Sequence, residues 1–206
     1  MYYGERLNSI NHLVGAVFAL MAFGSLLTVG FQSGKAFTFL GFAIFGFSLV
    51  LLYSMSTLYH SFKHPGRKKL FKLLDHVSIY ILIAGTYTPL MLVSVGNWTI
   101  LGLVWGFAVL GTLSEIFLSG KTVKICQVIT YLAMGWICGL DMGSIQASLP
   151  VAGFNWLLAG GLVYTVGIIF YVLDKLNRLT HAHGIWHFFV LIGSACHFIC
   201  VIGYVR

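Results

Sequence analysis

Three histidines lie within seven residues at "HAHGIWH" (181–187), directly before the apolar run "FFVLIGSACHFICVIGYV". His183 and His187 are four residues apart, so in a helix both side chains lie on one face, about 6 Å apart along the axis. Two imidazoles at this spacing can bind one metal ion. His181 points to another face, and we expect it to lie at the membrane boundary. The pair predicts a metal site whose other ligands come from other elements.

The composition indicates what kind of protein positions this pair. Of the 206 residues, 59% are hydrophobic and only 8% are charged. Soluble proteins carry about 25% charged residues, so we predict an integral membrane protein with a single domain over residues 1–206. The net charge of +7 is attributed to membrane topology. The expected partners are therefore membrane lipids, and no nucleic acid.

Seven apolar stretches are long enough to cross a bilayer as helices, which takes about 20 residues each. They lie at roughly 10–31, 37–59, 75–96, 98–118, 124–146, 153–173 and 183–204. The connecting segments are short, so neighbouring helices must run antiparallel. The predicted fold class is an all-α membrane protein, a seven-transmembrane helix bundle.

The basic residues are divided unequally between the two sides that seven spans define. One side holds ten of them: Arg6, Lys63, Arg67, Lys68, Lys69, Lys72, Lys121, Lys124, Lys175 and Arg178. The other side holds Lys35 and Arg206. The positive-inside rule then predicts a cytoplasmic N-terminus and a C-terminus outside.

This topology brings further polar side chains to the depth of the histidine pair. His60 ends the second span and Asp75 begins the third, so both lie at the cytoplasmic level of His183 and His187. Three imidazoles from two helices leave one position of a tetrahedral zinc site open for a water. Asp75 would lie near that position and act as a base. Ser56, on the same face as His60, can hydrogen-bond the outer nitrogen of a ligand imidazole.

Three interpretations of this cluster stay open on spacing and topology alone: a metal site, polar packing at the interface, and a proton path. Glu5, Asn8 and His12 share one face of the first helix. Helix capping together with interhelical hydrogen bonding is the first interpretation of these three, and polar support for the site or a role in substrate entry is the second. Asp174 is assigned to the loop after the sixth span, and Glu115, Asp141 and His197 receive no role.

Four segments resemble the hemolysin III family, the bacterial branch of the progestin and adipoQ receptor superfamily. They are "ERLNSINH" (5–12), "SMSTLYH" (54–60), "LLDHVSIYILIAGTYTP" (73–89) and "HGIWH" (183–187), and the resemblance covers essentially the whole chain. It implies a zinc ion near the cytoplasmic side. The implied ligands are His60, His183 and His187, with Ser56 and Asp75 beside them.

The resemblance implies three functions that do not share one mechanism. They are hydrolysis of a lipid amide, as in the ceramidase activity of some eukaryotic members, cytolytic pore formation, as in some bacterial members, and membrane-lipid homeostasis. A sensor with a purely structural zinc is a further alternative. Because the first span begins within about ten residues of the start, we expect no protein-hormone partner. The expected location is the bacterial inner membrane.

Overall fold

A computed structural model describes residues 4–206, apart from the side chains of residues 121 and 122. The helices are α1 (Arg6–Gln32), α2 (Ala36–Ser61), α3 (Pro65–Pro89, continued by a π-helical turn, Leu90–Val95), α4 (Trp98–Phe117), α5 (Gly120–Trp136, followed by a 3₁₀ turn, Ile137–Asp141), α6 (Met142–Ser148), α7 (Val151–Lys175) and α8 (Ala182–Tyr204). Within the described chain, seven helical segments are long and apolar enough to cross a membrane. The fifth of these, Val123–Ser148, includes most of α5, the 3₁₀ turn and α6. The predicted seven-helix membrane fold is confirmed, and the orientation of the termini stays a prediction.

Helix α3 begins earlier than the apolar stretch that predicts it. It starts at Pro65, whereas the predicted span begins at residue 75. Proline is favoured at the first helical position, because the N–H that it lacks has no acceptor there. Hydropathy detects only the part of a helix that lies in hydrocarbon. Asp75, expected to begin the third span, therefore lies about three turns inside the helix.

The fifth span is interrupted where one continuous helix is predicted. A 3₁₀ turn at Ile137–Asp141 separates α5 from α6. The hydroxyl of Tyr87 in α3 donates to the main-chain oxygen of Gly135 at 2.9 Å and accepts from the N–H of Cys138 at 3.1 Å. A broken helix in a membrane needs such partners for the backbone groups that it releases. A tertiary contact therefore stabilises the interruption.

Three helices form the centre of the bundle. Half or more of the apolar part of α2, α3 and α8 is buried, against 17–28% in the other spans. Close packing of α2 on α3 depends on Gly41, since a Cβ there would lie 2.9 Å from the Cα of Pro89. Small residues permit such approaches between membrane helices. The three central helices carry His60, Asp75, His183 and His187.

Candidate metal centre

The structure brings His60 of α2 together with His183 and His187 of α8. One ring nitrogen from each residue lies within 4.8 Å of the others. The ring centroids are 4.6 Å apart for the α8 pair, and those of His183 and His187 lie 5.1 and 4.9 Å from that of His60. His60 and His187 are each only 2% exposed. The three imidazoles are therefore close enough to bind one ion in a buried position.

The Nδ1 atom of each of the three imidazoles has a hydrogen-bond partner. The Nδ1 atoms lie 2.6 Å from Glu5 Oε2 for His60, 3.1 Å from Asp174 Oδ2 for His183, and 3.3 Å from the main-chain oxygen of Asn8 for His187. An acceptor at Nδ1 keeps the proton on that nitrogen and leaves the lone pair of Nε2 for a metal. This pattern is typical of metal-binding histidines.

The Nε2 atoms of the histidine group are suited to a bound cation. Nε2 of His60 and Nε2 of His183 are buried and have no hydrogen-bond partner among the described residues. A buried nitrogen without a partner costs free energy, and one metal ion would satisfy both. Imidazole ligands are compatible with zinc.

Asp174 reaches this centre although the sequence assigned it to a loop. It lies in the last turn of α7, which continues to Lys175. The chain then turns sharply, with Asn177 and His181 in left-handed backbone conformations (φ 53° and 62°), and returns as α8. This turn sets the Asp174 carboxylate against His183. Spacing along the sequence does not reveal the contact, because the path of the turn decides it. His181 itself is exposed, at the start of α8.

The N-terminal segment supplies the support for His60 and His187. Besides its contact with His60, the Glu5 carboxylate accepts hydrogen bonds from Asn8 Nδ2 at 2.8 Å and from Lys68 Nζ at 3.2 Å. Burial would raise the pKa of Glu5, but the hydrogen bonds to His60, Asn8 and Lys68 outweigh it and lower the pKa to about 2. Glu5 is therefore ionised at neutral pH and can hold the Nδ1–H of His60.

His12 is a fourth histidine beside the group. Its ring stacks on that of His187, with centroids 3.7 Å apart and an interplanar angle of 17°. The ring edge also meets Tyr53, and the side chain is 3% exposed. The contact fixes the ring plane of His187 from the side of α1, which is a packing role rather than helix capping.

Ser56 does not make the expected hydrogen bond to His60. Its Oγ is buried without a partner among the described residues, and it lines a cavity beside the histidines. Nδ1 of His60 faces α1 instead, where Glu5 holds it. Asp75 is 7% exposed and lines the same cavity as His183 and His187.

This cavity has a volume of about 140 Å³ and extends from the histidines along the axis of the bundle. Its polar end carries Ser56, Asp75, His183 and His187, whereas the remaining wall is mostly apolar. His197, farther along α8, also lines it, as do Trp136 and Leu158, which are 37% and 36% exposed. A site of this form suits a long apolar ligand with one polar group.

A second buried polar cluster joins α3, α4, α5 and α7. His76 Nδ1 lies 3.0 Å from Glu115 Oε2 and 2.6 Å from Gln127 Nε2. Tyr171 donates to Gln127 Oε1 at 3.2 Å. Glu115, which looks isolated in the sequence, therefore has a partner from the neighbouring helix. Gln127 carries no charge and nothing in its local sequence marks it.

The chain is similar to known proteins over nearly its whole length. A family model described as "Haemolysin-III related" matches residues 2–198. The chain belongs to the hemolysin III family. A protein of Bacillus cereus named Hemolysin-3 is 41% identical over 204 residues, which cover 98% of this chain and 91% of that protein. A Hemolysin-3 homolog of Bacillus subtilis (strain 168) is 39% identical over 203 residues, with 97% and 93% covered.

The family match extends to a human protein. Monocyte to macrophage differentiation factor is 30% identical over 170 residues, which cover 77% of this chain and 67% of that protein. This similarity supports the predicted link between the hemolysin III family and the progestin and adipoQ receptor superfamily. Residues 4–206 contain seven helical segments long and apolar enough to span a membrane, and the two Hemolysin-3 relatives are bacterial, so the chain is a multi-pass bacterial membrane protein.

Proposed function

We propose that this hemolysin III family member is a zinc-dependent hydrolase of membrane-lipid homeostasis, which cleaves a lipid amide. The main support is the position of the three-histidine group: two of its members, His183 and His187, line a largely apolar cavity that one carboxylate, Asp75, also lines. His60, His183 and His187 would bind the zinc. When bound, zinc lowers the pKa of a water and polarises a carbonyl oxygen.

Asp75 is the base in this proposal. Its carboxylate accepts a proton from the attacking water, whose oxygen forms a bond to the carbonyl carbon. The proton then passes to the leaving nitrogen as the C–N bond breaks, so the products are a fatty acid and an amine. Because Asp75 is 7% exposed, bulk water does not compete strongly for its lone pairs. A general base contributes about 10²–10⁴ to rate.

The surrounding residues position these groups. Glu5 and Asp174 keep His60 and His183 in the tautomer that presents Nε2 to the metal. The apolar wall, which includes Leu90, Met91 and Ile145, would bind an acyl chain. Substrate would enter from the lipid between helices, because the cavity reaches side chains that are partly exposed on the bundle surface.

The test is hydrolysis of a ceramide by purified protein, with its zinc content measured in parallel. We expect chelation to abolish activity and Asp75→Asn to lower kcat about 100-fold or more while zinc stays bound. Asp141→Asn is the matched control, since Asp141 bonds Asn97 and does not line the cavity. Unchanged activity in Asp75→Asn would remove the proposed base, and zinc-loaded protein that hydrolyses no lipid amide would remove the proposed reaction.

A structural zinc is the second candidate, and one observation favours it. The ligands join α2 to α8, and their outer partners Glu5, Asn8 and Asp174 add α1 and α7, so one ion would tie four helices together. In that case chelation lowers the melting temperature and no hydrolysis is detected.

The mostly apolar cavity wall does not favour a water-filled pore, the cytolytic alternative. Dye leakage from vesicles that persists in His187→Ala would favour that alternative.

A further inference from the structure

The two basic residues at the end opposite the metal centre meet at one cavity. Lys35 immediately precedes α2 and Arg206 follows α8, and both line a cavity of about 280 Å³ with Thr38, Phe37, Leu92 and Val93. The predicted topology assigns every other lysine and arginine to the opposite side. Among the described residues, no acidic side chain lines this cavity. The side chains that line it are therefore basic or uncharged.

The N-terminus of α2 adds hydrogen-bond donors to this cavity. The helix begins at Ala36 after Lys35, whose backbone is extended (φ −103°, ψ 119°), and no side chain caps it. The first N–H groups of a helix have no intrahelical acceptor, and they carry a partial positive charge of roughly half an elementary charge. Anions bind readily at such a terminus.

Thr38 is an independent sign of a ligand. It is 4% exposed, lines the cavity, and its Oγ1 is buried without a hydrogen-bond partner among the described residues. Thr28, Thr86 and Thr88 each donate to the carbonyl four residues earlier in their own helix. Thr38 does not, because residue 34 precedes the helix. Its hydroxyl is therefore left as a donor at the cavity wall.

The cavity lies beside an aromatic pair typical of the membrane–water boundary. Phe37 meets Trp98 edge-on at a centroid distance of 5.9 Å, and the two are 54% and 59% exposed. Aromatic side chains are enriched at the depth of lipid headgroups. If the anion bound here is the headgroup of a lipid, the acyl chains of that lipid would lie beside the apolar residues of the cavity.

We propose that this cavity binds a phosphate group, supplied by an anionic phospholipid of the leaflet that Lys35 and Arg206 face. Arg206 and Lys35 neutralise the phosphate, and the guanidinium can donate two parallel hydrogen bonds. The free N–H groups of α2 and the Thr38 hydroxyl complete its coordination. The site is separate from the metal centre and does not depend on the proposed hydrolysis.

The experiment measures ligand binding to the full chain in detergent by native mass spectrometry. The ligands are dioleoylphosphatidylglycerol, dioleoylglycerol, which lacks the phosphate, and inorganic phosphate. We expect the phospholipid to be retained in preference to dioleoylglycerol. Loss of one hydrogen bond to a charged group weakens binding roughly tenfold or more, so Lys35→Ser with Arg206→Ser should abolish the preference. Thr38→Val keeps the shape and removes one such hydrogen bond, so it should weaken binding of the phospholipid about tenfold.

The control is Lys69→Ser with Lys124→Ser, which makes the same change in net charge at exposed positions on the other side. Retention of phosphatidylglycerol that inorganic phosphate does not displace identifies the lipid as the ligand. If inorganic phosphate displaces the phospholipid, and if this binding is lost only in the double variant of Lys35 and Arg206, the phosphate site is supported with the free anion as its ligand. Equal losses in both double variants, or no preference for either phosphate compound, would overturn the proposal.

Discussion

The substitution Asp174→Asn tests whether a carboxylate brought in by the fold controls a metal ligand. Asp174 Oδ2 lies 3.1 Å from Nδ1 of His183. Asparagine keeps the size of the side chain and one oxygen acceptor, but it removes the negative charge. If its NH₂ group faces Nδ1, the proton of the imidazole moves to Nε2, which then no longer offers a lone pair to the metal. We therefore expect weaker zinc binding with an intact fold.

The magnitude follows from the contact and its exposure. A hydrogen bond to a charged group contributes about 1.5–3 kcal/mol, or about 10- to 150-fold in affinity. Asp174 is 30% exposed and also accepts from Lys175 at 3.1 Å, so its loss should cost about tenfold. Glu5→Gln should cost more, nearer 100-fold, because Glu5 lies 2.6 Å from His60 and is 22% exposed.

The assay is competition for zinc between the purified protein and a chromophoric chelator. Asp141→Asn makes the same substitution at a carboxylate bonded to Asn97 at 2.6 Å, at the opposite end of the bundle, and should leave the affinity unchanged. Thermal unfolding of the metal-free proteins checks that the fold is retained. Wild-type affinity in Asp174→Asn, or a smaller effect in Glu5→Gln than in Asp174→Asn, would refute the reasoning about Nδ1.

Three other predictions concern the ligands and the packing. His187→Ala should lose bound zinc in elemental analysis of the purified protein, and retention of a full equivalent would contradict the assignment. Gly111→Ala should lower the melting temperature through a loss of about 1–3 kcal/mol in stability, because its Cβ would clash with the ring of the buried Tyr80. Gly106→Ala in the same helix meets nothing within 4 Å and should be neutral; equal melting temperatures of the two variants would contradict this packing. Glu115→Ala should destabilise the protein by about 1–3 kcal/mol in chemical unfolding, because it removes the buried carboxylate acceptor at His76 Nδ1 and leaves only the Gln127 amide there. Glu115→Gln keeps an acceptor and should cost less; equal losses would argue against the hydrogen bond.

The seven spans were predictable because a bilayer acts on each segment separately. Twenty apolar residues form a helix in hydrocarbon regardless of their neighbours. The ends of the helices were less predictable, since α3 continues to Pro65 outside the apolar stretch. The break after Trp136 was not predictable at all, because the hydroxyl of Tyr87 from another helix stabilises it.

The candidate site also combines features that the sequence predicts with contacts that only the fold decides. The face shared by His183 and His187 follows from helical geometry, and the depth of His60 and Asp75 follows from the order of the spans. The contacts of Glu5 and Asp174 with the outer imidazole nitrogens depend on the rotation of α1 and on the turn after α7. Ser56 has the right spacing for a contact with His60, yet the rotation of that ring directs Nδ1 elsewhere.

The sequence by itself determined the number of membrane spans, the depth of the polar residues and the spacing of the histidine pair, because these depend on distances along one chain. Only the tertiary structure decided which acids hold the imidazoles, that Glu115 pairs with His76, and that Lys35 and Arg206 line one cavity. These contacts depend on the rotation and lateral order of the helices. Hydropathy carries little of that information, because lipid and the buried face of a membrane helix are both apolar.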